Sequence, residues 1–200
     1  MIIIESKRKK LENILNKYPN AKIIDVTSQS NEIFVKLSPF YPHGDIPVPY
    51  SSGVMSQSVE AIWQGLKVFE NNDIDIGIFN NRTMSNIKRT ARRYGKPLGH
   101  RKGINGTELL GYVEARHKIY LPSYKWVLEN KVKQLMESLR DLSKKQTIIL
   151  LDYTTNCDID NPSKPLSHAF LIKAWIEGIY PFTHNKEIRV KQLTIFDNNE

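Results

Sequence analysis

The chain has a single cysteine, Cys157, so no disulfide can form within it, and that usage fits a reducing compartment. No apolar run approaches the roughly 20 residues of a membrane-spanning helix. The first basic residues, Lys7, Arg8, Lys9 and Lys10, follow the apolar residues 2–4, the reverse of a secretory leader. These absences predict a soluble, cytoplasmic protein with no membrane partner. No His/Cys spacing suits zinc and the acids are too scattered for a magnesium cage, so no metal or other cofactor is expected. Internal repeats, low-complexity tracts, a Walker loop and a dinucleotide fingerprint are also missing.

What is present is an ordinary globular composition with an excess of positive charge. At 200 residues and 40% hydrophobic, the chain is long enough for one domain with a sizeable core. Its formal charge of +8 favours an anionic partner, because a positive field concentrates phosphates. Acidic residues are absent from the stretch 88–102, which holds Lys88, Arg89, Arg92, Arg93, Lys96, Arg101 and Lys102. Two readings of that cluster stand: a surface for nucleic acid or a phosphorylated small ligand, and a merely solvated basic face.

Taken in order, residues 6–17 read as a basic helix, residues 21–26 as a short strand, and residues 32–37 as a second strand through alternation of Ile33, Val35 and Leu37. Prolines 39, 42, 47 and 49 predict an extended loop. A helix starting at Ser58 carries Val59, Ile62, Trp63, Leu66 and Phe69 at three- and four-residue steps. Residues 84–94 read as a basic helix ending at Gly95, followed by a Gly-rich cationic loop over 99–106 that could bring backbone N–H groups to phosphate. Residues 107–120 and 124–142 read as helices interrupted at Pro122, residues 146–152 as a buried strand, and about 165–178 as a last helix. An edge strand is expected over 188–195. The pattern predicts an α+β fold, mainly helical, as a single compact domain with a few short strands. Residues 1–20 would form a basic N-terminal helix and 180–200 a C-terminal tail.

The richest chemistry lies in residues 37–67. Glu60, Gln64 and Lys67 fall on one helix face beside the apolar stripe, just after the proline-rich loop. That arrangement fits either a pocket wall or a solvated helix edge. Trp63 suits core packing or base stacking, and Asp152 suits a strand-end cap or a reacting carboxylate. Asp158 suits an Asx-turn or catalysis.

Residues 37–42, with Leu37, Ser38, Phe40 and Pro42, followed by 58–67, with Ser58, Val59, Glu60, Gln64 and Lys67, resemble two motifs of the NADAR superfamily of N-glycosidases. These read L-S-N-F-x-P and S-V-E-H-x-Y-Q-x-x-K. Ala115 with Arg116, the 126–130 segment from Trp126 to Asn130, and the 149–158 segment containing Asp152 and Asp158 resemble later blocks, so the likeness spans about 33–175. Pro39 stands where the family has Asn and Ala61 where it usually has His. The family's closing motif is replaced by Asn161, Pro162 and Leu166 to His168.

The resemblance implies a NADAR-like domain that hydrolyses an ADP-ribosyl or phosphoribosyl N-glycosidic bond, on a free nucleotide or on guanine in DNA or RNA. Glu60 would be the first catalytic carboxylate, with Asp158 or Asp152 the second. Ser38, Phe40, Tyr41, Trp63, Gln64, Lys67, Arg116, Trp126 and Asn156 would contact the substrate. Lys88, Arg89, Arg92, Arg93, Arg101 and Lys102 would hold phosphate or nucleic acid. The other class of function is a basic module that binds a nucleotide or nucleic acid without turning it over.

Overall fold

A computed structural model describes residues 1–180 of the chain. In order, the elements are β1 (Ile2–Ser6), α1 (Leu11–Lys17), β2 (Lys22–Asp25), β3 (Ile46–Pro47), β4 (Met55–Ser56), α2 (Val59–Gly65), β5 (Lys67–Phe69) and α3 (Ala91–Tyr94). There follow β6 (Pro97–Arg101), β7 (Leu109–Leu110), α4 (Tyr112–Ala115), a π-helical turn (Arg116–Tyr120), α5 (Leu121–Asn130), α6 (Lys133–Lys145), β8 (Ile148–Asp152) and α7 (His168–Ile176). Single 3₁₀ turns cover Ile33–Leu37 and Ile76–Asn80.

The strands form three small sheets: a parallel one in the order β1-β8-β2, a β3-β4 pair, and an antiparallel β5-β6-β7. A compact α+β domain with eight short strands among the described residues therefore replaces the mainly helical, NADAR-like domain with a few strands expected from sequence. The helical patterns took in residues that pair instead. Residues 6–17 are not one helix, because β1 runs to Ser6 in register with β8, and only Leu11–Lys17 coils. The 84–94 helix shrinks to Ala91–Tyr94. Met84 and Asn86 take positive φ, and Ile87 and Arg89 turn inward, so this chain lies extended against α2.

Three further differences are local. Residues 32–37 coil as a 3₁₀ turn, in which Phe34 and Leu37, three apart, face the interior while Ile33 is exposed. Pro122 does not interrupt: lacking an N–H, it is tolerated at the start of α5, directly after the π turn. The 124–142 helix is broken at Lys131 and Val132 into α5 and α6. The strand expected over 188–195 lies outside the described residues.

Two elements position the site. All seven residues of α2 are buried, and Ser58 caps its N-terminus by accepting the Ala61 N–H at 3.1 Å. β8, apolar and buried at its first three positions, is the centre of the parallel sheet. The carboxyl ends of β1, β2 and β8 lie together in this register, and in open parallel sheets that edge is where ligands bind.

Candidate functional site

A cleft of about 620 Å³ opens beside α2 and the sheet's carboxyl edge. Arg8, Thr27 and Ser28 reach it from the residues after β1 and β2, and Asp152, Tyr153 and Thr154 from the end of β8. α2 contributes Glu60, Trp63 and Gln64, with Lys67 just beyond. Tyr112, Arg116 and Tyr120 come from the helical wall, and Lys164, Pro165, Leu166 and His168 from the loop entering α7. Ser38, Pro39, Phe40 and Lys88 complete the lining. Of the two readings of the Glu60 face, the geometry selects the pocket wall: Glu60 is 8% exposed and Gln64 5%.

Glu60, Gln64 and Lys67 form a directed chain. Gln64 Oε1 accepts from the Arg89 N–H at 3.0 Å and from Lys67 Nζ at 3.3 Å, which turns its Nε2 toward Glu60 Oε1 at 2.8 Å. Burial raises the Glu60 carboxyl above its ordinary range, opposed by the Gln64 hydrogen bond and by the charges of Lys67 and Lys88. Burial lowers Lys67, opposed by Glu60. A carboxyl so placed takes up a proton more readily than an exposed one.

An aromatic wall stands beside it. Trp63 lies against His100 with centroids 3.7 Å apart and ring planes tilted by 31°, and makes edge contacts with Tyr112 at 5.6 Å and Tyr120 at 5.7 Å. Burial pushes His100 down to about 3, so that ring is a neutral backing for the indole. Lys88 Nζ lies 5.3 Å from the Phe40 centroid.

Asp152 is in the cleft but is not a free carboxylate. Its Oδ2 accepts from Ser167 Oγ at 2.8 Å, the Ala169 N–H at 3.2 Å and His168 Nδ1 at 3.0 Å, and its Oδ1 accepts the Tyr153 N–H at 2.7 Å. Burial alone would raise this carboxyl, yet His168 and the other donors hold it at about 2. His168 Nε2 faces the Val26 carbonyl at 2.9 Å. Both partners of the imidazole are acceptors, so both nitrogens carry protons and the pair is ionic. Burial lowers His168, but the Asp152 charge and hydrogen bond raise it overall.

Several expected site residues are placed elsewhere. Asp158 is exposed and outside the cleft, its Oδ1 accepting the Asp160 N–H in an Asx-turn. Asn156 braces the same loop through the carbonyls of Asp158 and Lys164. Tyr41 packs on His43, and Trp126 lies beside Lys131. Ser38 lines the cleft, though its Oγ accepts the Phe40 N–H at 3.3 Å.

Arg116, only 2% exposed, donates to the carbonyls of Ile159, Asn161 and Lys164, so it clamps the loop that walls the cleft. Arg89 is buried as well, donating to the carbonyls of Gln64, Lys67 and Asp73 and to Asn72 Oδ1. Arg101 pairs with Asp73 and Lys102 with Glu108, both at 2.7 Å. In the Gly-rich loop the backbone of Gly103, at φ +81°, packs directly on Tyr50: a Cβ there would strike the Tyr50 carbonyl. Of the basic cluster, Lys88 reaches the cleft, while Arg92 and Arg93 are exposed and, among the described residues, meet no carboxylate.

The sequence pattern missed Arg8, Tyr112, Tyr120, Lys164 and His168. For Tyr112, Arg116 and Tyr120 the four-residue spacing was a usable signal; for His168 there was none, since its partner sits 16 residues earlier on another element. Among the described residues, Arg8, Lys67, Lys88, Arg116 and Lys164 line the cleft without an ion-pair partner, and Glu60 is the lining carboxylate not already paired. The cleft is therefore suited to an anion with a flat apolar part. No helix among the described residues is long and apolar enough to cross a membrane.

No curated protein matches the chain. A family model does match, over residues 6–172, a span that takes in every element from α1 to β8 and the cleft between them. The chain belongs to that family, a family of unknown function designated DUF6939.

Proposed function

We propose that the protein is an N-glycosidase that hydrolyses an ADP-ribosyl or phosphoribosyl N-glycosidic bond, with Glu60 as general base. The observation that supports this most is Glu60 itself: a buried carboxyl with raised pKa, oriented by Gln64, in a cleft otherwise cationic and aromatic. The NADAR-like motifs around Glu60 point to the same chemistry. Phosphates would lie against Arg8, Lys67, Lys88 and Lys164, and the base against Phe40, Trp63 and Tyr112.

In the reaction a water oxygen bonds to C1′ of the sugar as the C1′–N bond breaks and its electron pair leaves with the base. The water proton passes to Glu60 and on to solvent, and the base takes a proton from solvent. Ionised Glu60 stabilises the oxocarbenium charge that develops on the sugar. With Asp152 held by His168 and Asp158 outside the cleft, one carboxylate carries both tasks.

A second reading, a non-catalytic nucleotide or nucleic-acid binder, is favoured by that same shortage of a second carboxylate. Incubation with ADP-ribosylated guanosine, ADP-ribosylated guanine DNA and free NAD-derived nucleotides, followed by chromatography of released base and ADP-ribose, separates the two. Release of base supports the hydrolase; binding without release over many hours supports the binder.

A further inference from the structure

Breaking an N-glycosidic bond leaves an electron pair on the base, and a neutral base departs as an anion unless an acid protonates it as the bond stretches. The acids around the cleft therefore limit which bases can leave. Glu60 is assigned to the water. Asp152 is paired with His168 and takes three further donors, and the second ring nitrogen of His168 is engaged by the Val26 carbonyl. His100, the imidazole against Trp63, is 2% exposed and does not line the cleft, so it has no access to a leaving group.

The other titratable lining groups are phenols, ammonium groups and guanidinium groups, whose ordinary pKa values lie at about 10 or above. Burial, then the charges of Glu60 and Asp152, push the Tyr120 phenol further up. Burial lowers Lys67, but this ammonium belongs to the Glu60 side of the site. Its Nζ donates to Gln64 Oε1 at 3.3 Å, and Gln64 Nε2 donates to Glu60 Oε1 at 2.8 Å. It thus stands with the catalytic base, on the side from which water attacks, whereas a leaving group departs from the opposite face of the sugar. Beside Glu60 the cleft offers a base an aromatic corner instead of an acid. Trp63 follows Glu60 by three residues on α2 and meets Tyr112 and Tyr120 edge-on, at 74° and 76°.

We propose that the substrates of this site are N-glycosides of a base that already carries positive charge on its ring, of the pyridinium or 7-alkylpurinium kind, which leaves neutral and needs no proton. This deepens the hydrolase reading and rests on it. The water oxygen bonds to C1′ and one water proton passes to Glu60 and on to solvent. The C1′–N bond breaks, and its electron pair cancels the charge on the ring. A single unpaired carboxylate is then sufficient, and ionised Glu60 faces first the charged ring and then the oxocarbenium charge that develops as it leaves. Arg8, Lys88 and Lys164 remain for the phosphates of such a nucleotide.

The test uses two pairs of substrates that differ chiefly in the charge of the base: oxidised with reduced nicotinamide adenine dinucleotide, and 7-methylguanosine 5′-monophosphate with guanosine 5′-monophosphate. ADP-ribosylated guanosine is the fifth substrate, Glu60→Gln is the control, and released base is measured by chromatography. The charged member should exceed its neutral counterpart in kcat/KM by at least about a hundredfold, the reach of the general acid that a neutral base lacks here, and Glu60→Gln should lose that turnover. A high ratio in the pyridine pair alone identifies a pyridinium nucleotide as the substrate, and in the purine pair alone an alkylated purine nucleotide; either upholds the proposal. Base released from the neutral members or from ADP-ribosylated guanosine as fast as from the charged ones overturns the proposal and leaves the hydrolase reading standing. Release from none of the five overturns both.

Discussion

Asp152 and His168 form a buried ion pair, Oδ2 to Nδ1 at 3.0 Å, at the point where the central strand of the parallel sheet meets the first turn of α7. The pair ties the sheet to the helix: Asp152 also takes the Ser167 hydroxyl and the Ala169 N–H, and His168 reaches across to the Val26 carbonyl after β2. It converts the second cleft carboxylate from a reagent into a fastening.

This fixes the pH dependence of stability. The Asp152 pKa is depressed from 3.8 to about 2, so its contribution is present above pH 4 and is lost as pH falls through the folded value. The His168 pKa is raised above 6.5, so its contribution is complete below that pH and is lost as pH rises through the raised value. Denaturant titrations of the wild type should show greatest stability from the pair between about pH 4 and 6.5. Asp152→Asn should cost about 3–5 kcal/mol in that window, since it leaves a buried imidazolium unpaired. A flat difference between mutant and wild type from pH 3 to 9 would contradict the ionic assignment.

The Arg116 clamp predicts a local effect. Arg116→Lys keeps the charge but loses the planar fork that reaches the Ile159, Asn161 and Lys164 carbonyls. Amide hydrogen exchange over residues 159–166 should quicken while β8 keeps its protection, and stability should fall by about 1–3 kcal/mol. Unaltered exchange in that loop would show that other interactions hold it.

The basic cluster divides into committed and available cations, and that division is testable with DNA. Replacing Lys88, Arg92 and Arg93 by Gln should weaken binding and reduce the slope of log K against log salt by about one for each phosphate that is no longer neutralised. Replacing Arg101 and Lys102 should leave the slope unchanged, because Asp73 and Glu108 already neutralise them. Equal effects from the two sets would mean that the cluster acts only as a diffuse field.

How much of this could be read from sequence follows from the range of each interaction. α2 was legible because its apolar stripe and Ser58 cap are local, and β8 because a run of apolar residues ending at Asp152 marks a buried strand. β1 was not, because its partner is distant, Ile2 facing Ile148, and the basic residues after it imitate a helix start. Met84 to Thr90 failed as a helix for a tertiary reason: Arg89 is drawn inward by the carbonyls of Gln64, Lys67 and Asp73. Glu60, Gln64 and Lys67 were found together since one helix face carries all three. Asp152 suited a strand-end cap or a reacting carboxylate in the sequence, and its bonds to Ser167, His168 and Ala169 depend on a distant element that no local pattern shows.

The most direct measurement is turnover and affinity of Glu60→Gln on ADP-ribosylated guanosine, by chromatography of released base and calorimetry of ADP-ribose binding. The amide is isosteric and keeps the cationic lining of the cleft intact, so affinity should stay within a few-fold of wild type while turnover falls at least about a hundredfold. A mutant that releases base as fast as the wild type, or a wild type that binds ADP-ribose and releases no base at all, would contradict the assignment of Glu60 as the catalytic base.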